Sequence, residues 1–257
     1  MSDRGRAPVY DRPLVAALYD LDVRLTSRHL WGTSVADQVR FAREAIAAAD
    51  GGAVLDLPVG TGLVLDAALP RRAGLVVAVD LSRAMLRRAR RRLGDRAVYV
   101  EADVAHLPFR PETFASCHSG NGFHLFADRA AAAAELSRTL QRGGHAAITT
   151  WTDQGSRVAR AYQRALTNRG HIGTPVALGE HVRTFETAGL CQRSSTLGAP
   201  CSAGPGPAPE AWTRFEGPGW PHSAGRYIPS EVSDASRFVL ALGEAPSGED
   251  TASSRSR

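Results

Sequence analysis

From Asp50 to Thr150, short apolar runs alternate with longer stretches in which apolar residues recur every three or four positions. That alternation predicts strand, helix, strand, helix, and hence a parallel sheet joined by right-handed crossovers. The expected strands cover residues 53–57, 75–79, 97–101, 114–118 and 145–150. Between them the pattern gives helices at 62–68, along the arginine-rich segment that Ser82 can cap, and at 128–140, the last closed by Gly143 and Gly144 as a helix-terminal signal. Ahead of the sheet, Leu14, Ala17, Leu18, Leu21 and Leu25 fall at helical spacing and predict one packing face, with Tyr19 and Asp20 turned elsewhere. A second helix is expected at 34–49. After Trp151 come helices at 155–169 and 178–188, a weak strand at 191–197 and a better one at 236–242. The expected fold class is therefore α/β, a doubly wound, mostly parallel seven-stranded sheet with an N-terminal helical lead-in. Residues 1–49 form the helical cap and 50–197 the core. A Pro/Gly-rich insertion follows at 198–235, a last strand at 236–244, and a polar low-complexity tail at 245–257 that reads as disordered.

Composition narrows the function more than the fold. A chain of 257 residues can hold one substantial α/β domain with appendages. No run is apolar for long enough to span a bilayer, and the N-terminus lacks the apolar core of a signal peptide, so the expectation is cytoplasmic. Cys117, Cys191 and Cys201 have neither metal-ligand spacing nor disulfide density, and no metal site is expected. The net charge of +5 raises the question of nucleic acid, yet the 31 basic residues are all arginine, with no lysine, which fits a GC-rich coding sequence. The cluster holding Arg87, Arg88, Arg90, Arg91 and Arg92 reads as a solvated helix face whose stems can lie over the sheet. The expected partner is thus a small molecule, with no nucleic acid and no membrane, and the chain a monomer or homodimer.

Candidate chemistry centres on residues 53–62, A-V-L-D-L-P-V-G-T-G, an apolar run that ends in an acid and a glycine turn. In open α/β sheets the ligand lies beyond the carboxyl ends of the strands, against such a turn. Gly60 and Gly62 are followed by Leu63, Val64 and Leu65, so the third glycine of a dinucleotide turn is missing, and a P-loop is excluded because it needs a lysine. A ligand with ribose and adenine but no phosphate remains.

Five motifs in order, V-L-D-L-P-V-G-T-G, V-A-V-D-L-S-R-A-M-L, E-A-D-V-A-H-L-P-F, T-F-A-S-C-H-S-G-N-G-F-H-L-F and E-L-S-R-T-L-Q-R-G-G, resemble those of class I S-adenosylmethionine-dependent methyltransferases, in the small-molecule branch near the UbiE and type 11 group. The resemblance covers about residues 35–150 and implies a Rossmann-like fold with S-adenosylmethionine as cofactor. It implies that Asp56, Pro58, Gly60, Thr61 and Gly62 lie along the methionine end, where Pro58 replaces the usual glycine and removes one backbone donor. It implies further that Asp80 accepts from the ribose hydroxyls, that Leu81 and Met85 line the adenine, and that Asp103 and the Val104 amide meet its edge. Ser119 and Asn121 would lie near the sulfonium, and Tyr19 and Trp31 would shape the acceptor pocket.

Methyl transfer needs alignment first and a base only where the acceptor carries a proton. His124, in the loop after the fourth strand, is the candidate base, with a structural histidine as the rival reading. His118 ranks below it because it falls within the strand. The reaction expected is methylation of a small organic acceptor, a secondary metabolite for instance. A non-methylating relative of the same fold, such as a cyclase or a binding protein, and an RNA methyltransferase are the alternatives.

Overall fold

Five parallel strands form at the expected places: Val54–Asp56 (β1), Val76–Asp80 (β2), Val98–Glu101 (β3), Phe114–Ser119 (β4) and Leu140–Trp151 (β5). The structure, a computed structural model, describes residues 9–30, 34–71, 73–153, 156–192 and 238–244. The strands lie in the order β3-β2-β1-β4-β5. The chain runs outward from β1 to β3 and then returns to the other side of β1, so β1 and β4 flank the point where the winding reverses. In sheets of this kind that is where ligands bind.

Alternation along each strand builds two layers. Leu55, Leu57, Val77, Val79, Cys117 and Ile148 pack on one face, where helix Arg129–Thr139 (α5) contributes Ala132, Ala133 and Leu136. Val54, Val76 and Ala78 pack on the other, with Leu65 from Leu63–Ala68 (α3) and Ala89 and Leu93 from Arg83–Leu93 (α4). A fully buried leucine or isoleucine is worth roughly 1.5–3 kcal/mol, so these two layers outweigh anything that helix propensity supplies. Ser82 caps α4 as the sequence predicts, its hydroxyl accepting from the Met85 amide at 3.3 Å. The α4 arginines spread over separate partners: Arg83 pairs with Glu101 and Arg92 with Asp20, and Arg90 lies over the Tyr99 ring; just past the helix, Arg96 pairs with Asp66. Among the described residues no helix is long and apolar enough to cross a membrane.

Two expectations are corrected. Gly143 and Gly144 do not end a helix. α5 stops at Thr139 and β5 starts at Leu140, so the glycines sit inside a strand where the pairing skips from Phe114–Leu140 to Ser116–His145. A Cβ on Gly144 would lie 2.8 Å from the Gln141 carbonyl oxygen, so the backbone doubles back there and needs a residue without a side chain.

The lead-in helix Pro13–Leu30 (α1) also turns its other face inward. Leu14, Leu18, Leu21 and Leu25 are each more than half exposed. Tyr19 instead packs with Tyr10 against Ala84 and Met85. Asp20 accepts from the Thr61 hydroxyl at 2.5 Å and from Arg92 at 2.6 Å, while Arg92 also donates to the Thr61 carbonyl at 2.7 Å. Helical spacing shows that a face exists but not that anything lies opposite it; the charge-assisted bonds to the glycine turn select the orientation. Asp20→Ala is expected to cost about 1–2 kcal/mol and to speed amide exchange through α1. Unchanged exchange there would show that the clamp is idle. Residues 1–8, the insertion 198–235 and the tail 245–257 lie outside the described residues.

Candidate active site

A cavity of about 420 Å³ opens at the carboxyl ends of β1, β2 and β4, a size usual for a small-molecule site. The glycine turn forms its floor. Gly60 and Gly62 have φ of 57° and 74°, which a side chain would strain. A Cβ on Gly62 would also come within 3.2 Å of the Ala89 Cα, so α4 packs directly on the turn. At the position of the missing third glycine, Leu65 is buried in the core.

Asp80 ties this turn to β2. One carboxylate oxygen accepts from the Gly60 amide and the other from the Ser82 amide, each at 2.8 Å. Burial is the main force pushing the carboxyl up to about 6, with Asp11 and Asp56 adding to it and the two amide bonds opposing. Met85, 2% exposed, faces the same space beside Tyr10 and Tyr19. Burial lifts the Tyr19 phenol far above its usual range and pushes Tyr10 up to about 12, so both stay neutral.

Across the switch point, Asp56 and His118 are Cα partners in the β1–β4 register and share one face of the sheet. The His118 Nδ1 lies 2.6 Å from an Asp56 carboxylate oxygen. Pro58 follows a cis bond from Leu57 and stacks so tightly on the β4 loop that a Cβ on Gly122 would lie 2.0 Å from the proline Cδ. In the same loop the Asn121 amide donates to the Thr149 hydroxyl at 2.9 Å. His124 stacks on Trp151, ring centres 4.3 Å apart, and burial pushes its pKa down to about 3, with Arg129 and His181 adding.

Asp56, Pro58, Gly60 and Thr61 from the first motif line this cavity, as do Asp80, Met85, Asn121, His124 and Tyr19. Gly62, Leu81, Asp103, Val104 and Ser119 do not. Asp103 caps the following turn by accepting from the Ala105 amide at 3.0 Å, and Val104 packs in the core. The Ser119 hydroxyl is buried with no hydrogen-bond partner among the described residues. Trp31 lies outside the described residues. The wall also holds His118, Trp151, Tyr162 and His171, which the sequence reading ranked low or left aside. The available signal for His118 was that it closes the expected strand 114–118, as Asp56 stands at the end of the apolar run before the glycine turn.

Residues 55–148 match the family model of a methyltransferase domain. That match places a methyltransferase domain in the middle of the chain. The chain is 30% identical over 160 residues to an uncharacterised chloroplastic methyltransferase of Arabidopsis thaliana, covering 57% of this chain and 44% of that protein. It is 38% identical over 106 residues to demethylmenaquinone methyltransferase of Clavibacter sepedonicus, covering 40% and 43%. The chain thus spans under half the length of these curated relatives. In fold, the methyltransferase domain and its surroundings resemble the methyltransferase from Haloferax volcanii solved in complex with the Trm112 activator, with a TM-score of 0.59 at 20% identity over 92% of this chain and 97% of that one. β1 opens the methyltransferase domain and β5 closes it, so the cavity lies at its carboxyl edge.

Proposed function

We propose that the chain transfers the methyl group of S-adenosylmethionine to a small organic acceptor held in this cavity. The observation that carries the reading is Asp80, buried at the cavity wall with both oxygens already braced by the Gly60 and Ser82 amides. Braced in this way, its remaining lone pairs are fixed in direction, which suits the two ribose hydroxyls of the cofactor. The glycine turn with Asp56, Pro58 and Thr61 takes the methionine end, and Met85 with Leu81 the adenine, Met being a soft filler beside a flat ring. Asp103 and the Val104 amide, which lie outside the cavity lining, would meet the adenine edge from beyond it. Ser119 and Asn121 stand near the sulfonium, Tyr19 on the acceptor side, and His124 with its Trp151 stack forms a wall there. Supporting a small acceptor, the wall is largely apolar and α1 covers part of it through Tyr19. A seven-stranded sheet belongs to the same reading, supported by Phe238–Glu244 pairing antiparallel with β5 and Cys191–Gln192 with that strand in turn.

The cofactor supplies an activated methyl group; the protein aligns it with the acceptor and excludes water. Calorimetric titration with S-adenosylmethionine and S-adenosylhomocysteine tests the assignment, with one saturable site expected for each. No binding of either would overturn it.

Asp80 also sets a pH dependence. Its folded value of about 6 lies above the ordinary 3.8, so the folded state holds this proton more tightly than the unfolded one. The ionised carboxylate therefore costs stability above pH 6, a cost relieved as pH falls from about 6 towards 3.8. Cofactor affinity runs the other way, because protonation removes the charged acceptor, and should drop about tenfold between pH 8 and 5. An Asp80→Asn variant should show no such slope, whatever its absolute affinity. A flat wild-type profile would argue against the ribose contact.

A further inference from the structure

The second ring nitrogen of His118, beyond its contact with Asp56, has no hydrogen-bond partner among the described residues. With the carboxylate 2.6 Å from Nδ1, the neutral ring carries its proton there, leaving Nε2 as a lone-pair acceptor. Nε2 is buried and has no partner among the described residues, and His118 is on the cavity wall at 3% exposure. Gly120 leaves the ring edge beside that nitrogen clear of any side chain of its own: a Cβ there would sit 2.9 Å from Cε1 and 3.4 Å from Nε2. Because Asp56 and His118 are register partners on strands flanking the switch point, their alignment is fixed by the sheet rather than by a loop.

Building on the methyltransferase reading, we propose that His118, oriented by Asp56, takes the proton that the acceptor loses on methylation, and that the acceptor is therefore an O–H, S–H or acidic C–H compound rather than a tertiary amine. In the step, a lone pair of the acceptor atom, or the electrons of its C–H bond, forms the new bond to the methyl carbon. The methyl–sulfur bond breaks with its pair going to sulfur, giving S-adenosylhomocysteine, and the acceptor proton moves to Nε2. Nucleophile, methyl and proton balance with no further reagent. Asp56 is the positioning residue: it fixes the tautomer and turns the transient imidazolium into half of a buried ion pair, where a lone buried cation would be costly. His124, stacked and hydrogen-bonding only weakly at 3.5 Å from Thr150, is a much poorer proton acceptor.

The competing role for Nε2 is to accept from the cofactor's ammonium, and the test separates the two. Binding of S-adenosylhomocysteine is measured first; its absence is a failure of the methyltransferase reading and not of the histidine's geometry. In that complex, with nitrogen-15 histidine at pH 8, His118 is expected as the Nδ1–H tautomer with Nε2 unprotonated, and Asp56→Asn is expected to redistribute the tautomers. A proton on Nε2 overturns the proposal. Methyl transfer is then followed by release of S-adenosylhomocysteine with phenol, thiophenol, a 1,3-diketone and N,N-dimethylaniline as probes. His118→Gln is expected to lower kcat about 10²- to 10⁴-fold on a proton-bearing probe, with cofactor affinity changed less than about threefold. Comparable losses in affinity and in kcat, or turnover of the amine alone, overturn it. If no probe turns over, the tautomer result decides.

Discussion

Asp80→Ala is expected to lower the affinity for S-adenosylmethionine by a factor of 10² or more. Two ribose hydroxyls donating to a carboxylate are worth roughly 1.5–3 kcal/mol each, or about 3–6 kcal/mol together. The same substitution removes the partners of the Gly60 and Ser82 amides, which costs about 1–3 kcal/mol for each amide that water cannot reach. Relief of a buried carboxylate that is ionised at neutral pH offsets part of that stability loss. Folding stability should therefore move less than affinity does, and the comparison discriminates. A melting shift with affinity within about fivefold of wild type would leave Asp80 as a structural brace only. Calorimetry on the folded variant, with a thermal melt beside it, reads both quantities.

The second large effect concerns Gly122 and Pro58. Gly122 has φ of −112° and ψ of −29°, which any residue can adopt, so alanine meets no backbone objection there. Its Cβ would nevertheless lie 2.0 and 2.4 Å from the Pro58 Cδ and Cγ, atoms of a ring that cannot rotate away. Overpacking of this kind costs about 3 kcal/mol or more, and Gly122→Ala is expected to lower the melting temperature accordingly. Pro58→Gly alone should cost only about 0.4–1 kcal/mol through the unfolded chain. Combined with Gly122→Ala it should recover most of the loss, a coupling of about 1–3 kcal/mol in a double-mutant cycle. Additive losses would mean that the loop and the first motif do not meet as described.

That pair also shows what a sequence can and cannot disclose. Pro58 stands out in the motif by itself, but the glycine that makes room for it lies on another strand's loop. The strands from β1 to β4 were legible because each is a short apolar run ended by an acid or a turn, and Ser82 was legible because capping is local. The inward face of α1 was not, since four leucines at helical spacing look like a packing stripe whether or not a surface opposes them. The glycine pair in β5 carries the same two residues that commonly end helices, and only the strand pairing tells the cases apart. The Asp56–His118 contact depends on the register of β1 against β4, a property of the sheet that the intervening residues do not encode locally.

The clamp of Asp20, Thr61 and Arg92 ties α1 to the glycine turn that lines the cavity. Helix docking and cavity filling therefore share one thermodynamic cycle: whatever factor a bound ligand adds to the docked population, docking returns to the ligand's affinity. If the helix is docked only a fraction of the time, the apparent dissociation constant rises by the inverse of that fraction. A substitution at Asp20 is then felt as weaker binding without altering a single ligand contact. Undocking of α1 from the glycine turn would require these three hydrogen-bonded side chains to part.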